Sequence, residues 1–303
     1  MSSSSHTDPA HRPSWQPSVT VVIPTLNGIA TIAEVLDAIA GQRYPGEVQV
    51  LVVDSSSSDG TAELVRARAG VELRQIPQAE FSHGATRARA AEWAEGEVVA
   101  YLTQDATPAR DDWLAELVAP LADPQFAGVF GRQLPRPGAV PVIAYEIERV
   151  FADPPRGFYS DTNSAARREL LCGPLPYRDV DFSEDFVFAA DALDAVYRIG
   201  YAPEAAVWHS NDIALADYAE RMRAEVRGYA ISAQPLPRYS WAGAMVRAAR
   251  GALRDEARII ADPRYGPRET LHWLFANPAY HVARWQGIYR GTRVRLPRAG
   301  HPE

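Results

Sequence analysis

The side chains of this 303-residue sequence best suited to chemistry are acids placed where apolar runs stop. Asp105 ends the run in "EVVAYLTQDATP", Asp54 ends "VQVLVVD", and Asp59 follows in the polar turn "DSSSSDGT". Glu184 and Asp185 stand side by side in "SEDF", and His209 closes the short apolar run of "VWHSND". Adjacent acids can supply a general base that takes a proton from a hydroxyl. A carboxylate together with a neutral imidazole suits Mn2+ or Mg2+. Plainer readings stand beside these. Asp59 and Ser residues cap helices and make turns. Ser183 can cap a helix whose dipole favours Glu184 and Asp185 in its first turn. A lone histidine is commonly a satisfied structural residue. Arg87, in "FSHGATR", offers either a planar fork for phosphate or a solvated helix face. His83 and Gly84 just before it read as a loop that approaches something closely.

The elements that must position these residues follow from periodicity. "VTVVIPTLNG", "VQVLVVD", "VELRQIP", "EVVAYL" and "FAGVFGRQL" are short apolar runs with the character of strands buried on both faces. Between them lie helical repeats. In "ATIAEVLDAIAGQ", Ile32, Val35, Leu36 and Ile39 share one face, with Thr31 as N-cap and Gly41 as stop. "TAELVRARAG", "GATRARAAEWAEG" (ending at Gly96) and "DDWLAELVAPLAD" are the next helices, Asp111 or Asp112 capping the last. This alternation implies an α/β fold, a mostly parallel central sheet flanked by helices. Ligands of such sheets gather at the carboxyl ends of the strands, where Thr25–Asn27, Asp54–Asp59 and Thr103–Asp105 all fall.

The second half is less regular. A Pro/Gly joint, "PRPGAVP", leads to a helix in "VIAYEIERVF"; "DPPRGFYSDTNSAARREL" runs from a loop towards a helix. "FSEDFVFAADALDAVYRIG" reads as helical throughout, "YAPEAAVWHSND" as a short strand, and the chain from Asp212 as mainly helical. Ser240 is the expected N-cap of "SWAGAMVRAARGALRDEARIIAD". There Arg247, Arg250, Arg254 and Arg258 fall within roughly an 80° arc, opposite Trp241, Met245, Ala252 and Ile259. Asp255 and Glu256 intrude on the apolar side. The pattern fits a packed helix with a solvated arginine face, or peripheral contact with an anionic membrane, to which the basic "RWQGIYRGTRVRLPRAG" would add.

Composition excludes several classes. The net charge of −7 argues against a nucleic-acid partner. All 31 basic residues are arginine, so neither a Schiff-base lysine nor a Walker-type lysine exists. The single cysteine, Cys172, cannot form an internal disulfide and points to a reducing compartment. Residues 1–17 are polar and read as a disordered arm rather than a leader. No stretch reaches the roughly 18–20 apolar residues needed to span a bilayer. Neither glycine-rich phosphate cradle is present, so a nucleotide bound here needs a carboxylate-held divalent cation for charge neutralisation.

Taken together, "VTVVIPTLNG", "VVDSSSSDGT", "FSHGATRARAAEWAEGEVVAYLTQDATP", "FYSDTNSAARREL", "SEDF" and "VWHSND" resemble the inverting GT-A glycosyltransferases of family 2, within them the rhamnosyltransferase-like branch. The resemblance covers residues 19–230. It implies a GT-A domain over 18–230, with a nucleotide-sugar half at 18–135, an acceptor half at 136–230, and a helical basic extension at 231–303. It implies that Pro24, Thr25, Asn27, Asp54, Arg87, Gln104 and Asp105 serve the donor. Asp105 and His209 would hold Mg2+ or Mn2+, and Asp185 would be the catalytic base. His83, Glu184, Asp161 and Asn163 fall to the acceptor side or to support. Thr103 stands where most relatives carry the first acid of an Asp-x-Asp pair, and Ala88 where many carry Asn. The implied donor is a nucleoside-diphosphate sugar, dTDP-L-rhamnose by branch, and the implied acceptor a glycan, lipid-linked glycan or secondary metabolite. The implied setting is cytoplasmic, extending to the inner membrane face. A non-catalytic nucleotide-sugar binder, or a transferase using a UDP- or GDP-sugar, is the alternative. A nucleotidyltransferase would show a glycine-rich Arg/Lys signature, which is absent.

Overall fold

The computed structural model describes residues 15–180, 183–210, 213–231 and 236–293. Most of the expected N-terminal arm, the Asn211–Asp212 end of "VWHSND" and the tail from 294 lie outside them. The chain begins β1 (Val19–Thr25), α1 (Ile32–Ala40), β2 (Val48–Asp54), α2 (Thr61–Arg66), β3 (Val71–Gln75), α3 (His83–Trp93) and β4 (Val98–Leu102). It continues β5 (Thr107–Pro108), α4 (Trp113–Val118), β6 (Phe126–Leu134), α5 (Pro141–Ala152), β7 (Asn163–Arg167) and α6 (Arg168–Leu171). The last elements are α7 (Glu184–Asp194), β8 (Arg198–Trp208), α8 (Leu215–Ile231), α9 (Trp241–Ala261) and α10 (Pro267–Gly291).

The eight strands form one sheet in the order β3-β2-β1-β4-β7-β6-β8-β5. The strands β3, β2, β1 and β4 pair in parallel, as do β6 and β8. Every residue of β4 is buried, as its uninterrupted apolar run requires. Helices cover both faces. On one, Ile32, Val35, Leu36 and Ile39 of α1 join Trp113, Leu114 and Leu117 of α4. On the other, Ala90 and Ala91 of α3 pack with Tyr159, Phe188 and Ala189. In register Thr25 lies beside Asp54, which brings the polar strand ends to one edge.

Two elements depart from expectation. β7 occupies "NSAAR", read from sequence as loop and helix start, and pairs antiparallel with both β4 and β6. Its residues have weak strand propensity, and pairing on both edges overrides it. The helix expected to run through Gly200 stops at Asp194. Val196 takes φ 67° there, and the chain turns into β8 beside β6. Three caps also differ. Ser183 sits at φ 65° and its side chain caps nothing, Thr31 makes no cap bond, and Asp112 stands at the N-cap position of α4 but turns its carboxylate to Arg110. Ser240 caps α9 as expected, accepting from the Gly243 N–H.

At the C-terminus α9 and α10 pack antiparallel, Trp241 against Tyr289 at one end and the Ala252 carbonyl against Asn277 midway. Ala252 and Ile259 face inward, but so does Asp255, bonded to His281 at 2.8 Å. The acid that disturbs the sequence pattern is therefore a buried partner. Trp241, expected on the apolar side, is about half exposed at the helix start.

The centre of the sheet depends on one glycine. A Cβ on Gly131 would lie 2.1 Å from the Ala205 carbonyl oxygen and 2.3 Å from Asn163 Nδ2. Both obstacles are fixed, since Asn163 bridges the Ala205 and Arg132 carbonyls and accepts from Trp113 Nε1. Gly131→Ala should cost about 1–3 kcal/mol of stability, read as a lower urea midpoint at unchanged slope.

Candidate active site

The edge formed by β1, β2 and β4 is knitted by side chains. Asn27 Oδ1 accepts from the Ser58 N–H at 2.9 Å, and Asp59 Oδ2 from the Ile29 N–H at 3.1 Å. Asp54 is fully buried, bonded to Gln75 Nε2 and the Ser57 N–H. Gln104 Oε1 accepts from the Thr25 hydroxyl and the Leu26 N–H, while its Nε2 donates to the Leu26 carbonyl. Its amide thus ties the end of β4 to the β1 loop that carries Pro24 and Asn27.

Asp105 and His209 are a hundred residues apart and meet through strand pairing. Thr107 pairs with Trp208, so β5 and β8 deliver the residues just before and just after that pair to one place. The gap from His209 Nε2 to Asp105 Oδ2 is 3.5 Å. Gln133 Nε2 donates to Ser160 Oγ, which leaves Gln133 Oε1 to accept from His209 Nδ1 at 2.9 Å. That bond turns Nε2 toward Asp105, the arrangement by which outer groups orient a metal-binding histidine. Burial raises the Asp105 pKa, but the His209 ring outweighs it and holds the carboxyl below its ordinary value. Arg136 fixes the loop, donating to the Asp105 carbonyl at 3.0 Å and the Thr107 hydroxyl at 2.6 Å. The Thr103 side chain borders the same space and, with His209, helps hold the Asp105 carboxyl down. A carboxylate, an imidazole and a hydroxyl suit a divalent cation completed by diphosphate oxygens and water. Among the described residues no third His, Cys, Asp or Glu joins them.

The acids of the second half surround Arg87. This arginine is 4% exposed, with Nη1 2.7 Å from Glu184 Oε1 and Nε 3.2 Å from Asp161 Oδ2. Burial alone would lower its pKa; Glu184 and Asp161 more than offset that and hold it above the ordinary value. Asp161 also accepts from Ser164 and from the Tyr177 hydroxyl at 2.7 Å, yet burial lifts its pKa to about 6. Arg87 pairs with Asp161 and Glu184 rather than with Asp185. Asp185 accepts from the Phe186 N–H at 2.8 Å and remains partly exposed. Burial, then the charges of Glu184 and Asp161, raise its pKa well above a normal carboxyl. Such a carboxylate is a strengthened base. The start of α3 is pinned to this group. Ser82 caps α3 and donates to Asp179, and a Cβ on Gly84 would fall 1.8 Å from the Arg178 carbonyl oxygen.

One cavity of about 440 Å³ joins these parts, lined by His83, Asp105, Asp161, Glu184, Asp185 and His209. The rest of its lining mixes Ile143 and Ile147 of α5, Phe158 and Phe186, and Tyr218 and Met222 of α8 with the charged Glu146, Arg221 and Glu225 of the same two helices. Arg87 lines the cavity beside the two acids it holds. Pro24, Thr25, Asn27, Asp54 and Gln104 lie along the neighbouring sheet edge, and Asn163 is buried in the sheet.

A family model described as "Glycosyl transferase family 2" matches residues 20–172. The chain belongs to glycosyl transferase family 2. It is 34% identical over 213 residues to the O-antigen chain rhamnosyltransferase RfbN of Salmonella typhimurium, covering 64% of this chain and 67% of that protein. It is 32% identical over 214 residues to WbaN of Salmonella anatum, another O-antigen chain rhamnosyltransferase, covering 65% and 67%. Among solved structures it resembles the mannosyltransferase PcManGT of Pyrobaculum calidifontis, described with GDP-Man and Mn2+. The TM-score is 0.62 at 23% identity, over 89% of this chain and 86% of that one. A glucosyl-3-phosphoglycerate synthase of Mycobacterium tuberculosis superposes with TM-score 0.55 at 22% identity, over 75% and 87%. The fold is GT-A and the protein is a glycosyltransferase.

Three residues of this glycosyltransferase's site escaped the sequence reading. Gln133 left a trace as a polar residue inside the apolar strand "FAGVFGRQL". Tyr177 and Arg136 left none, because their partners are distant in sequence. The buried triad sets the expected result for one variant. Arg87→Ala leaves two buried carboxylates uncompensated and should cost the transferase roughly 3–5 kcal/mol, measured by chemical unfolding.

Proposed function

We propose that this glycosyltransferase moves L-rhamnose from dTDP-L-rhamnose to a hydroxyl of a glycan or lipid-linked glycan with inversion. The donor reading is supported by the two relatives named as rhamnosyltransferases. The observation that carries the mechanism is Asp185, a base-strengthened carboxyl at the wall of the cavity that Asp105 and His209 also line. Asp185 takes the acceptor proton as the acceptor oxygen bonds to the anomeric carbon and the bond to the diphosphate oxygen breaks. A single displacement inverts the configuration. Asp105 and His209 would hold a Mn2+ or Mg2+ ion, which when bound would supply positive charge against the departing diphosphate. Thr103 adds a hydroxyl at that position. Arg87 acts as a positioning residue: its pairing with Glu184 and Asp161 fixes the start of α7 and thus Asp185. Gln104, Asn27 and Asp54 hold the donor loops in shape.

The wall from α5 and α8, apolar at Ile143, Ile147 and Met222 and charged at Glu146, Arg221 and Glu225, faces the acceptor. Among the described residues no helix is long and apolar enough to cross a membrane.

Asp185→Asn should lower kcat by about 10²–10⁴-fold while donor binding by calorimetry stays within error. Because the Asp185 pKa is raised, the acid limb of kcat/KM should lie above the ordinary carboxylate range, with activity lost as pH falls through it. Glu184→Gln removes a neighbouring negative charge and should move that limb to lower pH; an unmoved limb assigns the base elsewhere. A binding screen of dTDP-rhamnose, UDP-sugars and GDP-mannose, with and without Mn2+, tests donor and cation together. Asp105→Ala and His209→Ala should each abolish the Mn2+-dependent gain in affinity. Persistence of that gain in both variants would remove the pair from the cation site.

A further inference from the structure

The outer side of the α9–α10 pair is apolar and uncovered. On α9, Val246, Leu253 and Ile260 recur every seven residues and are 50%, 67% and 68% exposed. On α10, Leu271 and Phe275 are 58% and 79% exposed, followed one turn and more later by Val282. These are not the residues that hold the pair in place. At 100° per residue, Val246, Leu253 and Ile260 stand roughly 120–160° from Ala248, which α9 buries. Leu271, Phe275 and Val282 stand roughly 120–180° from Gly287 and Gly291. Those glycines press α10 on α8, where a Cβ would meet the Ala219 carbonyl oxygen at 2.2 Å or Val226 at 2.7 Å.

Charge says what kind of surface could cover this face. Residues 231–303 carry twelve arginines and five acids, a net +7, while residues 1–230 carry −14. Two of the acids at α9 and its end have arginine or histidine partners: Asp255 is buried against His281 and Arg254, and Asp262 holds Arg264. Glu269 accepts from the Gly266 N–H at the start of α10 and stays exposed. Arg250 and Arg268 are exposed. Each lies roughly 60° round its helix from an exposed leucine, Leu253 and Leu271 respectively. Glu256 is the one acid left along the α9 stripe. A second copy of this chain laid on the face would set arginine rims against one another. An anionic bilayer neutralises the rims while its acyl region takes up Leu253, Ile260 and Phe275.

We infer that the outer face of α9 and α10 docks on an anionic lipid bilayer, lying in the interface rather than crossing it. None of the residues of this face lines the cavity, and lipid binding is measured without turnover, so this inference and the donor assignment stand or fall separately. The experiment is flotation of the full chain with vesicles of phosphatidylcholine alone and with phosphatidylglycerol added, at low and high salt, beside sedimentation velocity. The native chain should float with phosphatidylglycerol vesicles at low salt and not with phosphatidylcholine alone. Arg250→Gln with Arg268→Gln, and separately Leu253→Ser with Phe275→Ser, should each reduce the bound fraction roughly tenfold or more at unchanged unfolding temperature. No flotation of the native chain, or flotation of either double variant equal to that of the native chain, would overturn the inference. A lipid-free dimer that the serine variant disperses would also overturn it, assigning the face to a second copy.

Discussion

The half of the cavity that carries the base hangs on one buried arginine. Arg87 reaches from α3 to Glu184 at the start of α7 and to Asp161 just before β7. Without a cation there, three acids would be gathered in a poorly hydrated space and would repel each other. With it, two acids are held and the third is left with the penalty. Burial and the neighbouring acids raise both Asp161 and Asp185, and Arg87 opposes the rise at each. Asp161 has two hydroxyl donors in addition to the arginine; Asp185 has one backbone N–H. The arginine thereby tunes a base it does not directly neutralise.

Local pattern made the first half of the sheet readable. Apolar runs bounded by polar turns encode β1, β2 and β4 directly, and their shared polar edge follows from parallel pairing. β7 could not be read so, because "NSAAR" acquires its strand character only from β4 and β6 on either side. The site divides similarly. Asp105, Asp185 and His209 announce themselves by type and position at element ends. What each does was not legible for Gln104, Asn163 and Arg87, whose polar groups are engaged by residues from 30 to nearly 100 positions away. Arginine in a helix reads as a surface residue until the acids that bury it are located.

The C-terminal helices are joined to the site more closely than a simple appendage. Tyr218 and Met222 of α8 form part of the cavity wall, and α10 rests on these same residues, Gly287 against Met222 and Tyr280 against Tyr218. Arg284 of α10 pairs with Glu146 of α5, which also lines the cavity. A displacement of α10 would therefore be felt directly at the cavity wall.

The pairing of Thr107 with Trp208 also sets an order of events during synthesis. The parallel strands β1 to β4 lie within the first 102 residues and can pair as soon as they leave the ribosome. The loop that carries Asp105 is made immediately afterwards, but the strand that delivers His209 is made about a hundred residues later. Meanwhile β4 presents an open edge that only β7 will close. A nascent chain halted anywhere before β8 would contain Asp105 and the polar edge of β1, β2 and β4 without His209. The two residues can meet only once β8 has been made and paired with β5.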